Sequence, residues 1–406
     1  MFSVDVLIAG GGVAGLLVAA KATELGYSCM IVEPVAFAAQ QSGHSHGYIH
    51  RGYIYLNGNS GLVRQLRSAR EDWDSFIAKP LTVHSSTHSS HIGFHNSEVA
   101  RYAARAWKAA GLPVVPLARE DWPEALGTSS PLRSCFKTEE ESFDFTRIVE
   151  NIRARLRSCG QVKGRLVRLY LRKMICTGAE IAVDDSVRKV EARAVVLAAG
   201  IGNGEILADT FGRYRAAPTV RSSYMMVVRG QSLKSVSMIL PENEFYGFFL
   251  VSRLEDNEVV WLLSNYISYG GDTGNNSLAS RLWAKATLRS LDTLFPVLRT
   301  SDLLWGMYAA PKAEFRRDPE YLPDGKIIEH FGMQNVVAIW PTKLSLAPVV
   351  ASDVVDMISK TLHEPKPESS AQPDWLIGGQ RIDTSEETWR SVELVDRFNF
   401  ERSILN

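Results

Sequence analysis

Val4-Asp5-Val6-Leu7-Ile8-Ala9, then Gly10-Gly11-Gly12-Val13-Ala14-Gly15, then Leu16-Leu17-Val18-Ala19-Ala20-Lys21: this opening stretch decides how the chain begins to fold. An apolar run rich in β-branched residues breaks at a Gly-x-Gly-x-x-Gly turn and resumes as an Ala- and Leu-rich helix. Such a strand–turn–helix presents backbone N–H groups and the positive end of a helix dipole to a diphosphate. Gly10 permits the tight turn, Gly12 lets the backbone approach the phosphates, and Gly15 lets helix and strand pack closely. Val13 and Ala14 open the helix and share that contact surface. A second buried strand over 26–32 ends at Glu33-Pro34, where a carboxylate accepts hydrogen bonds from a ribose. The glycine turn and the acidic residue together predict a dinucleotide site.

Composition narrows the class. The chain has 406 residues, 45% of them apolar and 22% charged, enough for one large core or two linked ones. Lys plus Arg (45) balance Asp plus Glu (45), so no global field draws in nucleic acid or anionic lipid. The basic stretch 153–173 reads as a solvated helix face followed by an edge strand. Cys29, Cys135, Cys159 and Cys176 show neither CxxC pairing nor metal-ligand spacing, which fits a reducing compartment. No apolar run reaches membrane-spanning length, and the apolar start lacks the basic leader of a signal peptide. A cytoplasmic location is the expectation.

Periodicity predicts helices over 62–77, 98–110, 144–157, 278–294 and 348–362. Asn96 and Asp144 are the expected caps of the second and third. A strand or hairpin is expected over 82–95, a small β-meander over 166–190, and a separate short buried strand over 194–200. Residues 224–305 alternate apolar and aromatic runs, as strands of an antiparallel sheet do. A strand over 335–340 returns to the first type. The polar stretch after Pro365 is expected to wrap the surface or to pack at a partner interface.

Four pieces stand in a telling order: the glycine turn with Glu33; the strand ending Ala198-Ala199-Gly200; the turn Pro323-Asp324-Gly325-Lys326; and Thr342 to Pro348 leading into a helix. The set resembles the glycine oxidase/D-amino-acid oxidase-like flavoproteins, a superfamily that includes L-2-hydroxyglutarate and glycerol-3-phosphate dehydrogenases. The resemblance spans residues 4 to about 362. It implies an α/β fold with FAD as cofactor: a doubly wound, glutathione-reductase-like Rossmann domain carrying an inserted antiparallel β-sheet substrate domain. The expected boundaries are 1–80, 142–220 and 322–364 for FAD binding, 81–141 and 221–321 for substrate, and 365–406 as a C-terminal tail.

By the same resemblance, the loop Ser42-Gly43-His44-Ser45-His46-Gly47-Tyr48-Ile49-His50 passes along the pyrophosphate and the flavin ring. Ser42, Ser45, His46 and Gly47 then contact the cofactor, and His50 stands where an imidazole can take a proton from substrate. His44 or His46 could instead carry a covalent flavin linkage. Leu166, Ala199 and Gly200 are further implied cofactor contacts. Lys343, Leu344, Ser345 and Leu346 precede a helix whose N-terminus, with the Lys343 ammonium, would favour negative charge on reduced flavin.

One departure bears on substrate. The family's amine oxidases carry a Gly-x-Arg-Pro element whose arginine clamps a carboxylate. The corresponding stretch, Trp305-Gly306-Met307-Tyr308-Ala309-Ala310-Pro311-Lys312, has no such arginine, and Lys312 or Arg316 would replace it poorly. A larger, more apolar or neutral substrate is therefore expected. Tyr53, Tyr246, Phe248, Phe249, Trp261, Tyr266 and Tyr308 are its candidate walls. His84, His88, His91 and His95 fall in a strand-like, Ser/Thr-rich segment, and no metal site is expected there.

The expected activity is oxidation of a C–N or C–O bond of a small molecule by hydride transfer to flavin N5. Dioxygen or another acceptor would take the electrons. A flavin monooxygenase on an aromatic substrate, an RNA-modifying flavoprotein and a non-catalytic scaffold remain as alternatives. Nucleic acid and a membrane span are not expected, and the oligomeric state is open.

Overall fold

The computed structural model describes residues 2–55, 60–77, 85–87, 90–156, 158–212, 219–221, 223–242, 246–265, 274, 277–299, 302–314, 325–365 and 382–405. Strand β1 (Phe2–Ala9) and strand β2 (Cys29–Glu33) pair in parallel, with helix α1 (Val13–Glu24) crossing between them. On its other side β1 pairs in parallel with Ser186–Leu197, which pairs in turn with Val336–Pro341. Gly160–Lys163 extends the sheet beyond β2, and the hairpin Arg165–Arg172/Ile175–Val183 extends it beyond Ser186–Leu197. Among the described residues this sheet has eight strands.

Both faces of the parallel part are covered, which is why its strands read as unbroken apolar runs. Leu16, Leu17 and Ala20 of α1 meet Val350 and Val354 of helix Ala347–Leu362 and Ile148 and Ile152 of helix Phe145–Ala154 in one buried cluster. The caps stand where the sequence places them. Asn96 Oδ1 accepts from the Glu98 amide at 2.8 Å, and Asp144 Oδ1 accepts from the Arg147 amide at 3.2 Å.

One expectation changes. The meander and the short strand at 194–200 are not separate, because Ser186–Leu197 is a single strand serving both. It is antiparallel to Ile175–Val183 over its first half and parallel to β1 over its whole inner part. No glycine or proline interrupts it, so nothing local breaks the extended backbone.

The second sheet has nine strands among the described residues. Its centre is Leu304–Ala309, Tyr224–Gly230, Glu258–Asn265 and Tyr246–Glu255, all antiparallel. Helix Leu278–Leu294 covers one face, where Trp261, Trp283, Trp305 and Phe295 are buried together. The opposite face carries Met225 and Phe249 toward the first sheet.

Residues 382–405 are built into this body rather than laid over it as a tail. Val395–Asp396 pairs with Leu304 and Trp305, Phe400 stacks on Trp305 at 6.1 Å, and Arg397 donates to Asp292 at 2.6 Å on Leu278–Leu294. All four cysteines are buried. Burial pushes the Cys29 and Cys135 thiols up to about 12 and Cys176 up to about 11, so all stay protonated at neutral pH. No helix among the described residues is long and apolar enough to cross a membrane.

Candidate functional site

A cavity of about 950 Å³ runs from the glycine turn to the inner face of the second sheet. That lies near the top of the ~300–1,000 Å³ range of small-molecule and cofactor sites. Gly10, Gly12, Val13, Ala14, Glu33 and Pro34 line one end, and Met225, Phe249, Ser264 and Lys312 line the other.

At the first end the glycines differ in what they do. Gly10 has φ +104°, and a Cβ there would lie 2.5 Å from the Ala198 carbonyl oxygen. A Cβ on Gly15 would overlap the Gly10 carbonyl, so Gly15 lets α1 and β1 approach although it does not reach the wall. Gly12 is open toward the cavity; a Cβ there would meet only Ser42 Oγ, at 3.3 Å. The Val13 amide donates to that same hydroxyl at 3.1 Å. The Glu33 carboxylate accepts from the Gly11 amide at 2.8 Å and the Val35 amide at 2.9 Å, which fixes it at the wall. Burial raises its pKa and those two bonds oppose the rise. The Ala199–Gly200 turn is clamped by Asn203, whose side chain accepts from the Ala199 amide at 2.8 Å and donates to the Leu197 carbonyl at 3.1 Å. Leu166, Ala199 and Gly200 all reach the cavity.

The histidine loop forms the middle of the wall. Ser42, His44, Ser45, His46 and His50 line the cavity, whereas Gly47 lies behind it, packed at φ +66° against the Phe143 carbonyl and Arg253. His46 Nε2 shares a hydrogen bond with Ser264 Oγ at 3.2 Å. His46 and His50 are each pushed down to about 3, first by burial. The charges of Lys312 and Arg253 lower His46 further, and those of Lys343 and Lys312 lower His50. Burial also lowers His44. At neutral pH His46 and His50 are therefore uncharged. The Nδ1 atoms of all three rings are buried with no hydrogen-bond partner among the described residues. Buried polar atoms at the rim of a large cavity fit a bound group that brings its own donors and acceptors.

Lys343 and Leu344 line the cavity, with the Lys343 ammonium 5.5 Å from the Tyr55 ring centre. Ser345 and Leu346 are fully buried behind them. The Ser345 hydroxyl accepts from the His50 amide at 2.9 Å, and its carbonyl accepts from Trp73 Nε1 at 3.2 Å.

Several of the expected aromatic walls are displaced. The Tyr53 hydroxyl donates to the Pro113 carbonyl at 2.5 Å, with the ring edge-on to Trp107, away from the cavity. Phe248 points into the tryptophan cluster while its neighbour Phe249 faces the cavity, as alternation along a strand requires. The Tyr308 hydroxyl donates to the His44 carbonyl at 3.1 Å, supporting the loop from behind. The side chain of Tyr246 lies outside the described residues, as do Tyr266, Arg316, Pro323, Asp324, His84 and His88. Of the expected walls Phe249 lines the cavity, and Tyr48, Tyr55 and Met225 line it as well. Among the described residues no three His, Cys, Asp or Glu side chains gather as a metal site.

Sequence reading passed over Arg221. It ends the short strand Thr219–Arg221, which pairs with Lys312–Glu314 so that Arg221 and Lys312 stand in register, and both line the cavity. No local motif announces this pair, because it exists only when the two strands meet.

Comparisons with known proteins agree with this fold. The family model described as FAD dependent oxidoreductase (DAO) matches residues 5–337. A probable FAD-dependent oxidoreductase of Pseudomonas aeruginosa, PA4991, is 26% identical over 378 residues, covering 89% of this chain and 91% of that protein. Its crystal structure superposes with a TM-score of 0.72 at 21% identity, over 96% of this chain and 98% of that one. Glycine oxidase from Geobacillus kaustophilus gives a TM-score of 0.67 at 14% identity, over 89% and 95% of the two chains. L-α-glycerophosphate oxidase from Mycoplasma pneumoniae, solved with FAD bound, gives 0.68 at 15% identity, over 88% and 95%. With most of its length matched by that family model, this chain belongs to the DAO family of FAD-dependent oxidoreductases.

Proposed function

We propose that this flavoenzyme oxidises the C–N bond of an anionic, amino-acid-like substrate, with Arg221 and Lys312 as the recognition site for the anion. The carrying observation is the placement of charge along the cavity. Among the described residues its wall carboxylates are Glu33 and Glu205, which stand at the nucleotide end beside the glycine turn and Arg165. Arg221, Lys312 and Lys343 stand at the other, among uncharged imidazoles. A cavity end lined by cations concentrates carboxylates. This reading replaces the neutral substrate expected from the missing Gly-x-Arg-Pro arginine, since the positive charge comes from another strand.

The remaining roles follow from position. Gly10, Gly12, Val13 and Ala14 with the N-terminus of α1 would take the diphosphate, Glu33 a ribose, and Leu166 the far wall. Lys343 and Leu344, just ahead of helix Ala347–Leu362, would lie along the flavin, where cation and dipole favour negative charge. FAD, when bound, supplies the two-electron acceptor that takes a hydride at N5 and passes the electrons to dioxygen or another acceptor. His50 and His46, held neutral, accept hydrogen bonds from a substrate amine and orient it without storing a proton. Glycine oxidase and glycerophosphate oxidase, both similar in fold, bracket the two bond types to be compared.

The test is anaerobic mixing of the FAD-loaded protein with amino acids, the matching amines lacking the carboxylate, and 2-hydroxy acids. Amino acids should bleach the flavin's visible absorbance, and Arg221→Ala should raise their KM about tenfold or more with FAD affinity unchanged. Reduction by the decarboxylated amines at the same rate and concentration would end this reading.

A further inference from the structure

We propose that Glu387 and Thr388 of the C-terminal segment are positioning residues that hold the His44–His46 loop in place from behind. The inference rests on the reading that this loop faces the bound cofactor and substrate. Three carbonyls on the back of the loop are each gripped by a donor from a different element. The Thr388 amide donates to the Gly43 carbonyl at 3.0 Å. The Tyr308 hydroxyl donates to the His44 carbonyl at 3.1 Å, and Arg253 Nη2 to the His46 carbonyl at 2.6 Å. With its carbonyls fixed on one side, the loop turns the imidazoles of His44 and His46 into the cavity.

Arg253 is the centre of this grip. It also donates to the Phe143 carbonyl at 2.6 Å and to Ser142 Oγ at 2.9 Å, and it is buried. A buried guanidinium needs a counter-charge. Glu387 has the largest charge acting on Arg253, with Asp144 assisting and Arg390 opposing; it is 2% exposed and both its carboxylate oxygens are buried without a hydrogen-bond partner among the described residues, so it acts through space rather than by a direct bond. One short stretch of chain thus provides both the amide for Gly43 and a buried negative charge that acts on Arg253.

That stretch is keyed into the nucleotide end independently. The Phe37 amide donates to the Asp383 carbonyl and the Ser385 amide to the Phe37 carbonyl, both at 2.8 Å. Arg153 donates to Thr384 Oγ1 at 2.6 Å and to the Ile382 carbonyl at 2.7 Å. Phe37 in turn packs so closely on Gly11 that a Cβ there would strike its ring. The strap therefore braces the loop at Gly43 and the segment before it at Phe37, behind the glycine turn, while Arg253 holds its end behind His46.

The grip responds to pH. Burial pushes Glu387 up to about 7, with Asp144 adding to the rise and Arg253 and Arg390 opposing it. Above that value the carboxylate is charged and Arg253 is compensated. Below it the compensation is lost and the hold on His46 loosens.

The experiment measures FAD affinity of reconstituted apoprotein, by flavin fluorescence quenching, and the visible circular dichroism of the holoprotein from pH 5.5 to 8.5. The expected result is that wild-type affinity weakens about fivefold as pH falls through 7, less than the loss of a direct charged hydrogen bond would cause. Glu387→Gln should show the weaker value throughout, with no inflection, and Glu387→Asp should recover part of both. Thr388→Pro removes one amide at the first position of a 3₁₀ turn, after a Glu387 at φ −62°, ψ 131° that tolerates a following proline. It should weaken FAD binding while leaving the inflection in place, and it decides the matter if Glu387→Gln fails to fold. Wild-type affinity and dichroism in all three variants would overturn the proposal. Because neither readout needs turnover, failure of every amino acid as substrate would sink the proposed function and leave this inference standing.

Discussion

The backbone amide of His50 donates to the hydroxyl of Ser345 at 2.9 Å, tying the histidine loop to the turn that opens helix Ala347–Leu362. The two residues belong to opposite ends of the sequence, and both are buried. Ser345→Ala leaves the amide unpaired away from water. It should lower unfolding free energy by ~1–3 kcal/mol and weaken FAD binding with it. Urea unfolding of apo- and holoprotein checks both, and an unchanged midpoint would show the link to be idle.

The neutral imidazoles give stability a defined acid limb. His50 binds its proton with a pKa of about 3 when folded and near 6.5 when unfolded, so the unfolded chain holds more protons between those values. Its contribution is complete above pH 6.5 and declines as pH falls toward 3, with a slope of up to ~1.4 kcal/mol per pH unit. Replacing His50 with Asn, which does not titrate, should flatten the limb by that amount. Denaturant titrations at pH 4, 5, 6 and 7 measure the difference between the two proteins.

The glycines of the first turn should separate binding from folding. Gly12→Ala meets only Ser42 Oγ at 3.3 Å, so apoprotein stability should change by under ~0.5 kcal/mol while FAD affinity falls at least tenfold. Gly15→Ala sets a methyl against the Gly10 carbonyl and should destabilise the apoprotein itself. Equal effects of the two on apoprotein unfolding would contradict the division of labour.

Phe248 and Phe249 make a matched pair. Truncating Phe248 to Ala opens a hole in the tryptophan cluster, at ~3–5 kcal/mol, and should leave KM alone. Phe249→Leu keeps most of the packing but reshapes the cavity wall, and should shift KM for substrate. Thermal unfolding and steady-state kinetics on the two variants distinguish the faces.

These pairs also show what the sequence could and could not tell. The turn from Gly10 to Gly15 and the carboxylate of Glu33 were legible because their chemistry is local: a few consecutive residues impose the turn, the dipole and the acidic end of β2. Asn96 and Asp144 were legible for the same reason. Phe248 and Phe249 both read as walls because composition marks an aromatic strand without giving its phase, and only one of two adjacent residues can face the cavity. Tyr53 and Tyr308 failed differently. Each spends its hydroxyl on a carbonyl remote in sequence, and no pattern of spacing forecasts such a bond. Arg221 was missed because its neighbour Lys312 arrives only through strand pairing, and Thr388 because its partner Gly43 lies near the other end of the chain.

The four buried, protonated thiols have a practical consequence. A sulfhydryl reagent can reach them only during excursions in which the protein opens, so the rate of alkylation is a built-in clock for those excursions. Cys29 and Cys159 time the opening of the nucleotide sheet and Cys135 that of the second sheet. Mass spectrometry of each modified peptide, with and without added FAD, would record which half of the molecule the flavin keeps shut.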